Sequence, residues 1–320
     1  EWVNADTDVL LHVRFLPNLQ ILTLAGSVNT QHLELLNFCP ALTTVRLLRA
    51  SSNTRSNFAF PLGRWSAQCH LIFDMPDTLP PPDLLQCQRL SHLCCIYTSM
   101  LQGLTTTALT ELRMTGSFVS PPILDFLSNL CNLKTLGITS PDSSGFETCL
   151  LGLTTLTHIG LLFEGLAKRF NHPVKMPRLP PSLFSLVAGC YNSPTDLSFL
   201  GDCTALKSLQ LYHCTTLQDI SELTLCPNLT ELDLFCFSGV ADISPLSSLR
   251  YLSSLKLPVD TADLSPLSAC SSLRYLQSAT LSPTLNGFQK LANASLSQVA
   301  SIEPFFVGTG ILANITTEFY

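Results

Sequence analysis

Charge is what this sequence has least of. Asp, Glu, Lys and Arg make up 12% of its 320 residues, where soluble domains carry roughly 25%. The net charge is −6 and the sequence pI is near 5.6. That argues against general duplex nucleic-acid binding, which needs a concentrated positive field. No run of 18 or more apolar residues occurs, so no membrane-spanning helix is expected. G-x-G-x-x-G, G-x-x-x-x-G-K-S/T and G-x-S-x-G are all missing, which removes the commonest nucleotide-binding and serine-hydrolase signatures. The seven histidines include no H-x-x-x-H or H-E-x-x-H pair, and Cys94-Cys95 is adjacent rather than C-x-x-C. Neither a zinc site nor a cofactor is therefore expected. The chain begins at Glu1 rather than methionine, as a processed or truncated chain would, and its start says nothing about a leader.

Apolar material is plentiful. Hydrophobic residues make up 46% of the chain, enough for a long core. With so few charges, serine, threonine and asparagine must cover much of the outside, and partner coverage of the surface is a second way to keep such a chain soluble.

The apolar residues repeat as L-x-x-L-x-L. The pattern reads Leu19-Leu22-Leu24, Leu42-Val45-Leu47, a weak Gln68-Leu71-Phe73, Leu90-Leu93-Cys95, Leu109-Leu112-Met114, Leu133-Leu136-Ile138 and Leu156-Ile159-Leu161. It continues as Leu183-Leu186-Ala188, Leu206-Leu209-Leu211, Leu229-Leu232-Leu234 and Leu252-Leu255-Leu257, with weak copies Leu273-Leu276-Ser278 and Leu296-Val299-Ser301. From residue 183 the copies are spaced 23, 23, 23, 21 and 23 residues apart. About a dozen copies at one period are the signature of a solenoid. The last two apolar positions of each copy are two apart and share one face of a short strand. One unit cannot bury so few apolar groups alone, so the units must stack into a shared core.

The other half of each unit reads Asp196-Leu197-Ser198-Phe199-Leu200, Asp219-Ile220-Ser221-Glu222-Leu223, Asp242-Ile243-Ser244-Pro245-Leu246 and Asp263-Leu264-Ser265-Pro266-Leu267. Ser-Pro is a helix-start signal, the serine hydroxyl capping and the proline taking a position that needs no N–H. The short period leaves room for one or two turns, so 3₁₀ or very short α segments are expected. The recurring aspartates offer one role many times, as acceptors in their own turns, whereas catalysis needs different roles placed together.

On these residues the chain resembles leucine-rich-repeat proteins of the short-repeat kind. Residues 196 to 276 are most similar to the D-I-S-P-L-x-x-L-x-x-L-x-x-L-x-L units of bacterial internalins and of intracellular phosphatase regulators. The cysteine-containing units are similar to those of trypanosomatid leucine-rich-repeat proteins. The resemblance implies an α/β solenoid bent into a horseshoe or arc, with a parallel sheet on the concave side and short 3₁₀ or helical segments on the convex side. It also implies protein binding through the concave face. The asparagine that usually follows L-x-L is rare here, Cys214 standing there in one unit, and the first-half lengths wander. Both departures leave the subfamily and the partner open.

A single solenoid is expected over residues 1–320. It would comprise a less regular block 1–162, a longer joining unit 163–182, a regular block 183–302 and a C-terminal cap 303–320. Residues 49 to 82 are the least regular part of the first block and read as a degenerate repeat with a surface loop. The joining unit carries Lys168, Arg169, Lys175 and Arg178, four of 17 basic residues. It reads as a solvated loop, with contact to RNA backbone or an acidic surface as its functional alternative.

Thirteen cysteines would suggest disulfides in a secreted chain. Cys39, Cys87, Cys203, Cys226 and Cys270, however, each lie three residues before the first leucine of a unit. One slot filled repeatedly by one small apolar group points to buried structural thiols. Glycosylation acceptor patterns at Asn228, Asn293 and Asn314 keep an extracellular setting open.

Binding residues are sought between the core positions, where side chains face outward. The stretch around Tyr212 and Phe235, rimmed by Gln210, Glu231, Asp233, Lys256 and Tyr275, has the aromatic centre and polar rim of a protein-binding patch. The function expected is a non-catalytic scaffold or structural subunit holding a protein partner on the concave face. Its expected setting is a larger intracellular assembly: cytoplasmic, organellar or cytoskeletal. One alternative is an extracellular or cell-surface recognition protein. Another is a regulatory adaptor subunit of an enzyme complex, which would need a partner-specific segment such as an F-box helix pair. Neither an enzyme nor a small-molecule substrate is expected.

Overall fold

In a computed structural model of the chain, residues 2–4, 15–25, 34–48, 69–74, 87, 89–96, 101, 108–115, 121–139, 145–162, 176–189, 196–212, 214, 216–235, 242–257, 264–278 and 301–304 are described. Packing divides the chain into two compact units, Glu1–Thr139 and Ser140–Tyr320.

The first unit stacks β1 (Trp2–Asn4), β2 (Ile21–Ala25), β3 (Thr44–Leu48), β4 (His70–Asp74), β5 (Leu90–Ile96), β6 (Glu111–Thr115) and β7 (Thr135–Thr139). Each strand pairs in parallel with the next in chain order. The second stacks β8 (His158–Leu162), β9 (Ser185–Gly189), β10 (Ser208–Tyr212), β11 (Glu231–Phe235), β12 (Ser254–Leu257), β13 (Tyr275–Ser278) and β14 (Ser301–Pro304) in the same way. This is the parallel solenoid that the repeat predicts.

Register explains the periodicity. Leu209 stands between Leu186 and Leu232, and Leu211 between Ala188 and Leu234. These side chains are essentially buried. Burying one leucine is worth roughly 1.5–3 kcal/mol, and here each is covered by its own equivalents in adjacent repeats. The last copy corrects the sequence reading: Ile302, not Val299, takes the position beside Leu276, and Ser301 pairs with Tyr275. The sheet register, not the nearest L-x-x-L match, sets this copy.

The cysteine slot holds as read. Cys39, Cys87, Cys203, Cys226 and Cys270 are all buried, and Leu249 fills the slot in an intervening repeat. The slot joins two tight turns: Cys226 N–H donates to the Leu223 carbonyl at 3.0 Å, and the Cys226 carbonyl accepts from Leu229 N–H at 3.2 Å. Burial pushes the thiols up, to about 12 for Cys203 and about 11 for Cys226 and Cys270. No two of the eleven described cysteines are bridged, and Cys131 alone among them is exposed. Brief native-state alkylation read by mass spectrometry is therefore expected to label Cys131 ahead of the other described thiols. Equal labelling of Cys203 and Cys226 would overturn the buried slot.

The return segments are short, as expected: 3₁₀ turns at Leu35–Phe38, Ser198–Leu200, Ser221–Leu225, Ser244–Ser248 and Ser265–Ala269, with helices α1 (Pro121–Ser128) and α2 (Phe146–Gly152). Gly145 precedes α2 at φ 118°, a conformation that favours glycine. The caps differ from the serine-hydroxyl reading. The serine is the first residue of each turn, and the aspartate two residues earlier accepts its N–H: Asp196 from Ser198 at 3.0 Å, Asp219 from Ser221 and Asp242 from Ser244 at 2.8 Å. Ser244 Oγ turns back to Asp242 Oδ2 at 2.9 Å. These bonds hold the Asp196 and Asp242 carboxyls below their usual range, the Ser198 hydroxyl leading for Asp196 and the Ser244 N–H for Asp242. The repeated aspartates are thus turn acceptors, as their recurrence suggested. Asp263 lies outside the described residues.

Candidate functional site

Alternation along each strand leaves a second set of side chains facing away from the core. On β10 to β13 register places Gln210, Asp233, Lys256 and Gln277 side by side in one row. Lys256 Nζ lies 2.8 Å from Asp233 Oδ2. The Asp233 side chain is 8% exposed and that of Lys256 40%, so an anchored carboxylate meets a half-open cation. A tyrosine stands at each end of the row. Tyr212 Oη donates to Gln210 Oε1 at 2.8 Å, and Tyr275 Oη to Gln277 Oε1 at 3.2 Å. Glu231 is exposed and accepts from Ser208 Oγ at 3.2 Å.

All seven residues singled out around Tyr212 fall on these adjoining strands. Their roles differ from the expected aromatic centre. Tyr212 is buried, at 8% exposure, so its ring is part of the packing and only its hydroxyl joins the polar row. Phe235 pairs with Tyr212 in register, but its side chain lies outside the described residues. Gln277 was missed because glutamine among serines carries no sequence signal; only its register beside Lys256 brings it in.

A second cluster lies on β4 to β7. His92 Nε2 is 3.3 Å from Glu111 Oε2, and Arg113 Nη2 is 2.9 Å from Glu111 Oε1. The His92 hydrogen bond leads in holding the Glu111 carboxyl below its usual range. Beside them Asp74, Cys94, Arg113 and Gly137 form one row. Burial first, then the hydrogen-bonded Asp74 carboxylate, pushes the Cys94 thiol far above its usual range. The register shifts between Leu71 and Ile72, with Ser91 as the extra residue on β5, which the repeat alignment did not reveal.

Ser91 Oγ lies 3.0 Å from His92 Nδ1, so Ser91, His92 and Glu111 are connected in the order of a hydrolase triad. The same hydroxyl reaches the Leu71 carbonyl at 3.3 Å. Thr43, Thr110, Thr230 and Ser253, at the same repeat position, likewise send their hydroxyls to backbone carbonyls of the preceding repeat. Thr157 Oγ1 also contacts His158 Nδ1, at 2.9 Å. Ser91 is therefore read as a rung of a hydroxyl ladder, its proton directed to a carbonyl. Among the described residues no group of three or more His, Cys, Asp and Glu side chains is placed to hold a metal ion.

Lys168, Arg169 and Lys175 lie outside the described residues. Arg178 is engaged: its Nη2 donates to Asp202 Oδ2 at 2.7 Å, and its N–H to Glu147 Oε2 at 3.2 Å. Asn228, the one described glycosylation acceptor, is exposed, and its Nδ2 donates to the Thr204 carbonyl at 2.9 Å. No described helix is long and apolar enough to cross a membrane.

No family model matches this sequence, and no curated protein matches it. Solved structures do resemble it. An internalin (inlF) from Listeria monocytogenes is 20% identical, with 92% of this chain and 88% of that chain covered at a TM-score of 0.57. A second internalin from the same organism, inlC2, is 20% identical, with 65% of this chain and 84% of that one covered at a TM-score of 0.40. The TLR13–ssRNA13 complex is 18% identical, with 96% of this chain but only 38% of that chain covered at a TM-score of 0.43. The likeness to inlF matches what the repeat and strand register had already indicated: this chain has the leucine-rich-repeat solenoid fold.

Proposed function

We propose that this chain is a non-catalytic recognition protein that binds a protein partner on the outward strand face of β10 to β13. The row Gln210–Asp233–Lys256–Gln277 carries the reading. Its side chains are held by the Tyr212 and Tyr275 hydroxyls and by the Asp233–Lys256 pair, so little further ordering is needed when a partner docks. Rigid strands present polar groups of both signs and half-exposed Tyr275, the mixed chemistry of a protein interface.

The likeness to an internalin supports an extracellular or cell-surface setting over an intracellular assembly. The many thiols are compatible with that setting, because buried groups with raised pKa values resist oxidation without a reducing compartment. The finer similarity to internalin units over residues 196–276 belongs to the same reading.

A photo-crosslinking residue at Gln277 is expected to capture the partner in cells, while one at Ser268, on the exposed 3₁₀ side, is not. Capture from Ser268 alone would refute the strand-face assignment. Surface biotinylation of intact cells tests the setting, and a wholly protected chain would return it to the interior.

A further inference from the structure

We propose that the rim where the chain turns into β9 to β13 is a second interaction surface, and that its occupant is a second copy of this chain. It shares no residue with the Gln210–Asp233–Lys256–Gln277 row.

The rim is one continuous row. Lys207 N–H donates to the Phe184 carbonyl, Thr230 N–H to that of Lys207, Ser253 N–H to that of Thr230 and Arg274 N–H to that of Ser253, each at 2.8 Å. Phe184, Lys207 and Arg274 therefore stand on one ladder with a step of about 4.8 Å per strand, and Arg250 and Tyr251 lie in the turn just before Ser253. All five are exposed, Phe184 by 40% and Tyr251 by 61%. Lys207 Nζ lies 4.6 Å from the Phe184 ring centre. Arg274 Nη1 donates to the Leu273 carbonyl at 3.0 Å and the Ser271 carbonyl at 3.3 Å, which fixes its guanidinium at the rim. Among the described residues none of these three cations is ion-paired. Arginine beside exposed aromatic rings is the chemistry that anchors protein interfaces.

The charge that answers this rim lies on the same chain, at the other end of each return. Lys207, Arg250, Lys256 and Arg274 are the only lysines and arginines between residues 185 and 278, and Lys256 is paired with Asp233. The turns 204–207, 227–230, 250–253 and 271–274 hold the other three and no Asp or Glu. The nearest carboxylates along the chain are Asp202, which Arg178 holds at 2.7 Å, and Glu231, which accepts from Ser208 Oγ. The stretches that leave the strands, 190–200, 213–223, 236–246 and 258–267, have the reverse balance. They carry Asp196, Asp219, Glu222, Asp242, Asp260 and Asp263, and no lysine or arginine. Asp219 and Asp242 are exposed and Asp196 is half-buried. Their turn bonds leave acceptor capacity on each carboxylate, and those bonds keep Asp196 and Asp242 ionised. Between Asp242 and Arg250 the chain runs through the 3₁₀ turn Ser244–Ser248, about 10 Å at 2 Å per residue. The return into β10 thus carries Asp196 at its head and Lys207 at its end, and the return into β12 carries Asp242 and Arg250. A second copy set beside the first, with its strands pointing the same way, brings Asp196 and Asp242 opposite Lys207 and Arg250 at one shared repeat pitch. Each copy offers a rim to one neighbour and acidic turns to another, so the contact is heterologous and open-ended. Exposed ion pairs are individually weak, so the association is salt-sensitive, and Phe184 and Tyr251 add apolar contact to it.

Sedimentation velocity of the full chain at low ionic strength tests this. The average mass is expected to rise above the 34.9 kDa of one chain as the concentration increases, and to fall back in high salt. The double variant Lys207→Glu, Arg250→Glu reverses the rim. The double variant Asp196→Asn, Asp242→Asn removes charge from the turns but keeps an oxygen to accept each serine N–H. Each double variant alone is expected to associate about tenfold more weakly or worse. Mixed in equal amounts, the two are expected to pair through the one intact rim and the one intact acidic row, and to stop at dimers. A chain that is monomeric at every concentration, association indifferent to both double variants, or a mixture no larger than its parts would each overturn the proposal. So would a monomeric chain whose rim binds decauridylate, the mark of a site for an anionic polymer. Crosslinking at Gln277 reads the outward strand face, so either surface can fail without the other.

Discussion

Leu209→Ala is expected to lower the unfolding free energy of the second unit by about 3–5 kcal/mol, the upper part of the range for a buried leucine truncated in a core that relaxes poorly. Leu209 is 0% exposed. It is stacked between Leu186 on β9 and Leu232 on β11, so the cavity opens on two repeat interfaces at once. In a solenoid each repeat contacts mainly its neighbours, and stability is close to a sum of repeat and interface terms. The loss should therefore be read per repeat: amides of β10 and its neighbouring strands should lose hydrogen-exchange protection before β2 and β3 do. Urea unfolding that shifted by less than about 1 kcal/mol would mean that the site collapses freely, contrary to the stacked register. Uniform loss of protection along the chain would argue against nearest-neighbour coupling.

The second large effect is expected at Lys256. Lys256→Met keeps most of the stem but removes the cation beside Asp233, whose side chain is 8% exposed. Breaking one side of a fully buried pair costs about 3–5 kcal/mol. Here the 40% exposure of Lys256 admits water and screening, so about 1–3 kcal/mol is expected. The double variant Asp233→Asn, Lys256→Met should recover most of the loss, because it no longer buries a carboxylate without its cross-strand cation. Chemical denaturation of the two single variants and the double variant gives the coupling directly. A neutral Lys256→Met, or purely additive losses, would show that the pair is an ordinary surface contact. The pair also lies at the centre of the β10–β13 row, so any binding defect in Lys256→Met must be separated from its stability loss by working below the unfolding transition.

The core was legible because its signal repeats. One L-x-x-L-x-L match is weak, but Leu206-Leu209-Leu211, Leu229-Leu232-Leu234 and their relatives reinforce each other, and burial follows the pattern. Cys203, Cys226 and Cys270 were legible for the same reason: a slot that recurs at one offset must face the same surroundings each time. The candidate site was legible only in outline. Gln210, Asp233 and Lys256 occupy equivalent positions, so their adjacency follows from the period, but the burial of Tyr212 does not. An outward position next to other repeats can be covered, and sequence alternation does not tell covered from open. Glu111 and Gly137 were not legible at all, since each is an ordinary residue until register sets it beside Arg113.

The sequence alone thus determined the repeat, the parallel stacking that it requires, the core side chains of the repeated strand, turn and cysteine positions and the turn role of the aspartates. All of these depend on spacing within a unit, and spacing is local. Tertiary structure decided the register shift between β4 and β5, the register of Ile302 against Leu276, the buried state of Tyr212 and the two outward clusters around Lys256 and Arg113. Those depend on which side chains of different repeats meet across a sheet. A cross-strand contact joins residues some twenty positions apart, and its distance, charge state and exposure exist only once the strands are in register.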